Sequence, residues 1–131
     1  MNGNINDFLN QKSWAVIGVS ENTSKFGYKV YVQLKKAGYT VFPINPKLNS
    51  IDGDPCFPAL SALPLKPDAV SIIVPPQITE QIVQECISLG IKRVWMQPGS
   101  ESTKAIEDGE SHGIAVIHHE CVLVETRNVI K

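Results

Sequence analysis

The sequence carries almost no net charge. Its 12 Lys and Arg residues nearly balance 13 Asp and Glu residues, which leaves −1 at pH 7 with His neutral. That balance excludes a broad basic face, so neither nucleic acid nor an anionic membrane is expected as a partner. Cysteine is scarce as well. Cys56, Cys86 and Cys121 are odd in number, lie far apart and show no metal-ligand spacing. This excludes a disulfide framework and gives no metal site, and it points to a reducing, cytoplasmic setting. Long apolar runs are missing, so a membrane span is not expected. The polar start MNGNINDFLNQK lacks an apolar signal core. Internal repeats and low-complexity tracts are also absent.

What the chain does have is alternation. With 131 residues and 43% hydrophobic content, it suits one globular domain. Five apolar runs read as strands: Ser13–Gly18, Thr40–Ile44, Ala69–Val74, Arg93–Met96 and Ile114–Ile117. The first is apolar throughout, as in a strand buried on both faces. Helical spacing falls between them. Gly27–Ala37 presents Val30, Tyr31 and Leu34, with Gly38 as the stop. Ile78–Leu89 presents Ile78, Ile82, Cys86 and Leu89, with Gly90 as the cap, and Ser102–His112 opens on a serine cap. The Pro- and Gly-rich connector Asn49–Pro67 places Leu60 and Leu63 under a short helical turn. Residues 1–12 form an N-terminal segment in which Ile5, Phe8 and Leu9 suit a short packing helix; residues 13–131 form the domain. The expected fold is α/β, a Rossmann-like doubly wound sheet of five parallel strands in the order 3-2-1-4-5.

In such a sheet ligands bind outside the carboxyl ends of the strands, beside strand one. Four loops converge there: Gly18–Gly27, Asn45–Lys47, Val74–Pro76 and Gln97–Ser100. The first lies within WAVIGVSENTSKFGYK, a strand, a polar loop and the start of a helix. A helix N-terminus offers unpaired N–H groups and the positive end of the helix dipole to a phosphate. Ser20, Ser24 and Lys25 add two hydroxyls and a cation. A dinucleotide site would have G-x-G-x-x-G after the first strand and an acid after the second. Here Ser20 follows Gly18, the next glycine is Gly27, and the second strand ends in Asn45-Pro46-Lys47. A lysine at that point suits a phosphorylated ribose. No G-K-[ST] closes the loop, so it is not a P-loop.

Several stretches in order carry a resemblance to a known family. They are VIGVSENTSKFGYKV, GYTVFPINP, the connector G-x-x-C-F-P-A-L-x-x-L-P, PDAVSIIVPP, LGIKRVWMQPGS and the Cys121 region. Together the chain resembles the small stand-alone CoA-binding proteins, themselves similar to the CoA-binding domain of the succinyl-CoA synthetase alpha subunit. The most specific parts are GxSxxxxKFG, INP and WMQPG. The resemblance implies a ligand, coenzyme A or an acyl-CoA. By it, Gly18, Ser20, Lys25, Phe26 and Gly27 belong to the phosphate loop. Asn45, Pro46 and Lys47 flank the adenosine and its ribose phosphate. Val74, Pro75 and Pro76 run along the adenine or the pantetheine arm, and Gln97 and Gly99 lie near the pantetheine end. The ligase's phosphorylated histidine and second domain have no match, so synthetase activity is not implied. The family's acidic-basic-cysteine ending is replaced by His119-Glu120-Cys121, so no role is carried to that segment.

Simpler readings stand beside these. Lys25 and Lys47 suit solvated surface positions, Ser20 a local turn, Phe26 a hydrophobic staple, and Trp95 the core. Adjacent residues in His118-His119-Glu120-Cys121 point to opposite faces of an extended chain and do not converge on a metal. A mixed disulfide between Cys121 and a CoA thiol is the one reactive role left open. No nucleophile–base pair is recognisable, so the leading expectation is non-catalytic CoA binding. Two alternatives remain. One is an NADP-dependent oxidoreductase or redox sensor, which Lys47 leaves open. The other is a regulatory CoA-sensing subunit of a separate acyl-transfer enzyme, with an unidentified protein partner.

Overall fold

The computed structural model describes residues 4–127 and 129. The outer limits set for the two segments, 1 and 131, lie outside those residues. Strand β1 (Ser13–Ile17) is buried at every position. It pairs in parallel with β2 (Thr40–Ile44) on one side and β5 (Ala69–Ile72) on the other. The sheet continues through β6 (Arg93–Met96) to β7 (Ala115–Ile117), again in parallel. With β3 (Ser50–Ile51) and β4 (Asp54–Pro55) forming a separate hairpin, the main sheet reads β2-β1-β5-β6-β7. The class, the five parallel strands and the Rossmann-like winding are those the sequence predicts.

The order differs. Counting only the main sheet, it is 2-1-3-4-5 rather than 3-2-1-4-5. The reason lies in Pro43. The Pro43 carbonyl accepts from the Phe57 N–H on the outer side of β2, while Ile44 accepts from Gly18 on the inner side. Backbone groups of one residue point the same way in a strand, so the N–H that proline lacks falls on the outer edge. A further full strand there would meet a gap in its ladder. β2 is therefore an edge, touched outside, among the described residues, by a single bridge between Ile44 and Phe57. The chain then crosses back over β1 and lays its third strand on the far side.

Helices cover both faces. On one face lie α1 (Ile5–Leu9), α2 (Phe26–Lys36) and α5 (Val122–Thr126). Their core holds Phe8, Trp14, Val30, Tyr31, Leu34 and Trp95, all fully buried. Phe8 meets Trp95 edge-on with ring centroids 5.8 Å apart, and Arg93 Nε reaches Asp7 Oδ2 at 2.8 Å, so α1 is fastened to the sheet. On the other face lie the 3-10 turn Leu60–Ala62, α3 (Pro76–Leu89) and α4 (Thr103–Ser111). The Ser102 hydroxyl accepts from the Ala105 N–H at 2.9 Å and caps α4. Gly90, at φ 74°, closes α3.

One sequence expectation for α3 needs rephasing. Its buried positions are Thr79, Val83 and Cys86, while Ile78 and Leu89 are exposed. Thr79 takes an interior place because its hydroxyl donates locally, to the carbonyls of Val74 and Pro75. The isoleucines turn to the flank. Among the described residues no helix is long and apolar enough to cross a membrane.

The β3–β4 hairpin is clamped to α2 through its acids. Tyr28 donates its phenol proton to Asp52 Oδ2 at 2.8 Å, and both Tyr31 and Lys35 donate to Asp54 Oδ2. The bond from Lys35, followed by that from Tyr31, holds the Asp54 carboxyl below the usual carboxylate range. Burial, followed by the Asp54 contact, pushes the Tyr31 phenol up. A carboxyl whose folded value is depressed contributes stability above its unfolded value and loses it as pH falls through the folded value. Asp54→Asn should therefore lower the melting temperature at neutral pH. The gap to wild type should close as pH falls below about 4. Melts across that range check this; a gap independent of pH would rule out an ionised Asp54 in the clamp.

Candidate functional site

β1 and β5 are neighbours, but the chain leaves them toward opposite faces. α2 follows β1 to one face and α3 follows β5 to the other. Their loops diverge and open a crevice at the carboxyl edge, the switch point of this strand order. Two glycines let three backbones meet there. A Cβ on Gly18, which sits at φ +96°, would lie 2.6 Å from the Ile73 carbonyl oxygen. A Cβ on Gly27, in the first turn of α2, would lie 2.1 Å from the Gly18 carbonyl oxygen. Only glycine fits at such separations.

Between them the loop is held by its own side chains. Ser20 Oγ accepts from the Asn22 N–H, and Asn22 Oδ1 accepts from the N–H and hydroxyl of Ser24. Lys25 takes the cap position of α2 in an extended conformation, and no side chain caps the helix. Among the described residues, the first-turn N–H groups therefore have no side-chain cap. Lys25 and Phe26 are exposed, Phe26 at 56%. Lys29 Nζ stands 5.9 Å from the Phe26 ring centroid.

Beside this rim, on the α3 face, is a cavity of about 430 Å³. Ile17 and Ile44 form its floor at the strand ends. Val74, Ile78 and Ile82 form one wall and Pro58, Ala59 and Leu60 the other. Of the sequence candidates, Gly18, Asn45, Pro46, Lys47 and Val74 come together here. Asn45 acts as a strut: its amide donates to the Val19 carbonyl at 2.8 Å and its oxygen accepts from the Lys47 N–H at 2.8 Å. Ser20, Lys25, Phe26 and Gly27 stay on the neighbouring loop. Pro75 and Pro76 form the cap and first residue of α3 without lining the cavity.

Gln97 and Gly99 lie elsewhere, because β5 stands between β1 and β6 in the observed order. Gln97 is 3% exposed, and both ends of its amide are engaged. It donates to Cys121 Sγ at 3.0 Å and accepts from the Val122 N–H at 3.0 Å. The Gly99 N–H donates to Glu101. Conversely, Pro58, Ala59, Leu60, Ile78, Ile82 and Glu85 line the cavity without having been singled out as site residues. The available signals were the C-F-P-A-L connector and two isoleucines that a strictly buried stripe does not need.

Other chemistry is limited. A more open hollow of about 320 Å³ between α2 and α5 includes Gln33, whose amide already donates to Leu123 and Thr126. Burial pushes the Cys86 thiol up to about 12 and raises that of Cys56. The His118 and His119 rings touch, with Nδ1 atoms 2.6 Å apart. Burial, followed by the electrostatic influence of the His119 ring, holds His118 below the usual imidazole range. Among the described residues no group of three or more His, Cys, Asp or Glu converges as metal ligands do.

Known proteins are similar to this chain in sequence and in fold. A family model described as "CoA binding domain" matches residues 12–127. The acetate–CoA ligase [ADP-forming] I of Archaeoglobus fulgidus is 29% identical over 118 residues, 82% of this chain and 17% of the ligase. The acetate–CoA ligase [ADP-forming] II subunit alpha of Pyrococcus furiosus is 29% identical over 126 residues, 88% of this chain and 28% of that subunit. The chain thus spans less than a third of either relative. Among solved structures, a conserved hypothetical protein from Pyrococcus furiosus superposes with a TM-score of 0.84 at 32% identity, covering 88% of this chain and 99% of its own.

The glycine contact gives a direct test. Gly27→Ala forces a methyl group into the Gly18 carbonyl, and α2 must shift. We expect a loss of about 1–3 kcal/mol in urea unfolding, the usual range for overpacking. Unchanged stability would mean that α2 has room to move at no cost.

Proposed function

We propose, from the premise that this chain belongs to the CoA binding domain family, that it binds coenzyme A or an acyl-CoA at the switch-point cavity without itself catalysing a reaction. The observation that carries this reading is the pairing of an apolar cavity of about 430 Å³ with an uncapped helix N-terminus at its rim. Such a pair suits a ligand with a flat apolar base and several phosphates. The loop from Gly18 to Gly27, with Ser20 and Lys25, takes the diphosphate, and Phe26 shields it. Asn45, Pro46 and Lys47 flank the ribose, with the Lys47 amine toward the 3′-phosphate. Val74, Pro75 and Pro76 guide the ligand where α3 begins. The arm then runs along the carboxyl edge toward Gln97 and Gly99.

Non-catalytic binding suits the cavity lining, whose only charged side chains among the described residues are Lys47 and Glu85. Neither is paired with a nucleophile. One matching relative is named as an alpha subunit of a ligase. That favours a second element of the proposal, in which the chain works beside a separate acyl-transfer enzyme.

A thermal-shift comparison of CoA, acetyl-CoA, NAD⁺, NADP⁺ and ATP tests the ligand. Saturation at 100 times the dissociation constant adds about 2.7 kcal/mol, a rise of several degrees at this size. Stabilisation by CoA species alone supports the reading, whereas stabilisation by NADP⁺ alone overturns it in favour of a redox role. Lys25→Ala should weaken CoA by about 1–3 kcal/mol if its amine meets a phosphate. Equal affinity for CoA and its 3′-dephospho form would remove Lys47 from the ribose phosphate.

A further inference from the structure

The cavity contains one group that fits neither its apolar walls nor a polyanionic ligand. Glu85 lines it, and among the described residues this carboxylate has no hydrogen-bond or ion-pair partner. Ile78, Ile82 and Glu85 fall at i, i+4 and i+7, so one flank of α3 presents all three to the cavity. α3 begins at the carboxyl edge and runs back along the sheet. Glu85 is seven residues beyond Ile78, about 10 Å further down at 1.5 Å per residue. The cavity is therefore cationic at its rim, where Lys47 sits, apolar along its length, and anionic at its inner end.

An ionised carboxylate only accepts hydrogen bonds. It repels phosphate, so the phosphates of any ligand stay at the rim. What reaches Glu85 between apolar walls is an uncharged, flat portion that carries a donor. We propose that Glu85 is a specificity-determining residue, which accepts a hydrogen bond from the exocyclic amino group of an adenine ring. This rests on the CoA reading above and deepens it, because it fixes both the direction in which the ligand enters and the base it must carry. A base with a carbonyl at that position would set two acceptors against each other, at the cost of leaving a half-buried carboxylate without a partner.

Titration calorimetry of wild type and Glu85→Gln tests this with CoA and with deamino-CoA, in which a carbonyl replaces the amino group. Wild type should prefer CoA by about tenfold or more, the range for a hydrogen bond to a charged group. Glutamine offers either its carbonyl or its amide N–H, so the variant's preference should fall to within about twofold. The preference is a ratio within one protein, and the charge lost in the variant affects both ligands alike. Adenosine 3′,5′-bisphosphate and its inosine counterpart should show the same preference, since both lack pantetheine. Equal wild-type affinity for CoA and deamino-CoA overturns the proposal. So does an undiminished preference in the variant, or a preference that vanishes without the pantetheine arm, which would assign Glu85 to a pantetheine amide. Failure of wild type to bind CoA at all is a separate outcome, which removes the CoA reading itself.

Discussion

Helix α2 starts where it does because hydrogen atoms, not methyl groups, face the Gly18 carbonyl. That backbone contact, which a Cβ at Gly27 would invade at 2.1 Å, determines how closely α2 approaches the end of β1. It also sets the first turn of α2 directly beside Gly18, which itself lines the cavity. Gly18 has two further obligations: its N–H donates to Ile44 in β2, and its missing side chain admits the Ile73 carbonyl just past β5. Three strand ends and one helix are registered through a single residue. Asn45 extends the registration by tying Val19 to the turn that carries Lys47. The rim is thus made largely of backbone, with side chains supplying struts rather than packing.

The second constraint is the edge at β2. Once Pro43 makes β2 terminal, the chain has to return across β1 to extend the sheet, and the return path becomes the wall of the cavity. Pro58, Ala59 and Leu60 stand opposite Val74 and Ile78 for that reason. The hairpin that begins the return is anchored on the other side by Tyr28, Tyr31 and Lys35 of α2. The same helix therefore orients the rim at its N-terminus and secures the connector through its middle turns.

Much of this was legible in the sequence. Apolar runs closed by glycine and proline located all five main strands, and the convergence of four loops on one edge follows from parallel pairing alone. The strand order was not recovered, although TVFPI contained its own signal in a proline that excludes a second full neighbour. The phase of α3 was misread because Thr79 hides its hydroxyl by local bonding and so occupies a position that hydropathy assigns to Ile78. That error concealed the cavity wall. α5 was not anticipated at all. A helix of five residues has little intrinsic stability. This one is held by distant side chains, with Gln97 receiving the Val122 N–H and Gln33 reaching the Leu123 carbonyl. Such contacts have no local pattern in the sequence.

The two faces of the sheet also differ in what light can report. Both tryptophans, Trp14 and Trp95, are fully buried with Phe8 on the α2 face, and the cavity opens on the α3 face behind the strands. Their emission senses the unfolding of the aromatic cluster, but the sheet screens it from an occupant of the crevice. Intrinsic fluorescence is therefore a probe of integrity in this protein and a poor one of occupancy. An optical binding assay would need a reporter placed on the other side of the sheet.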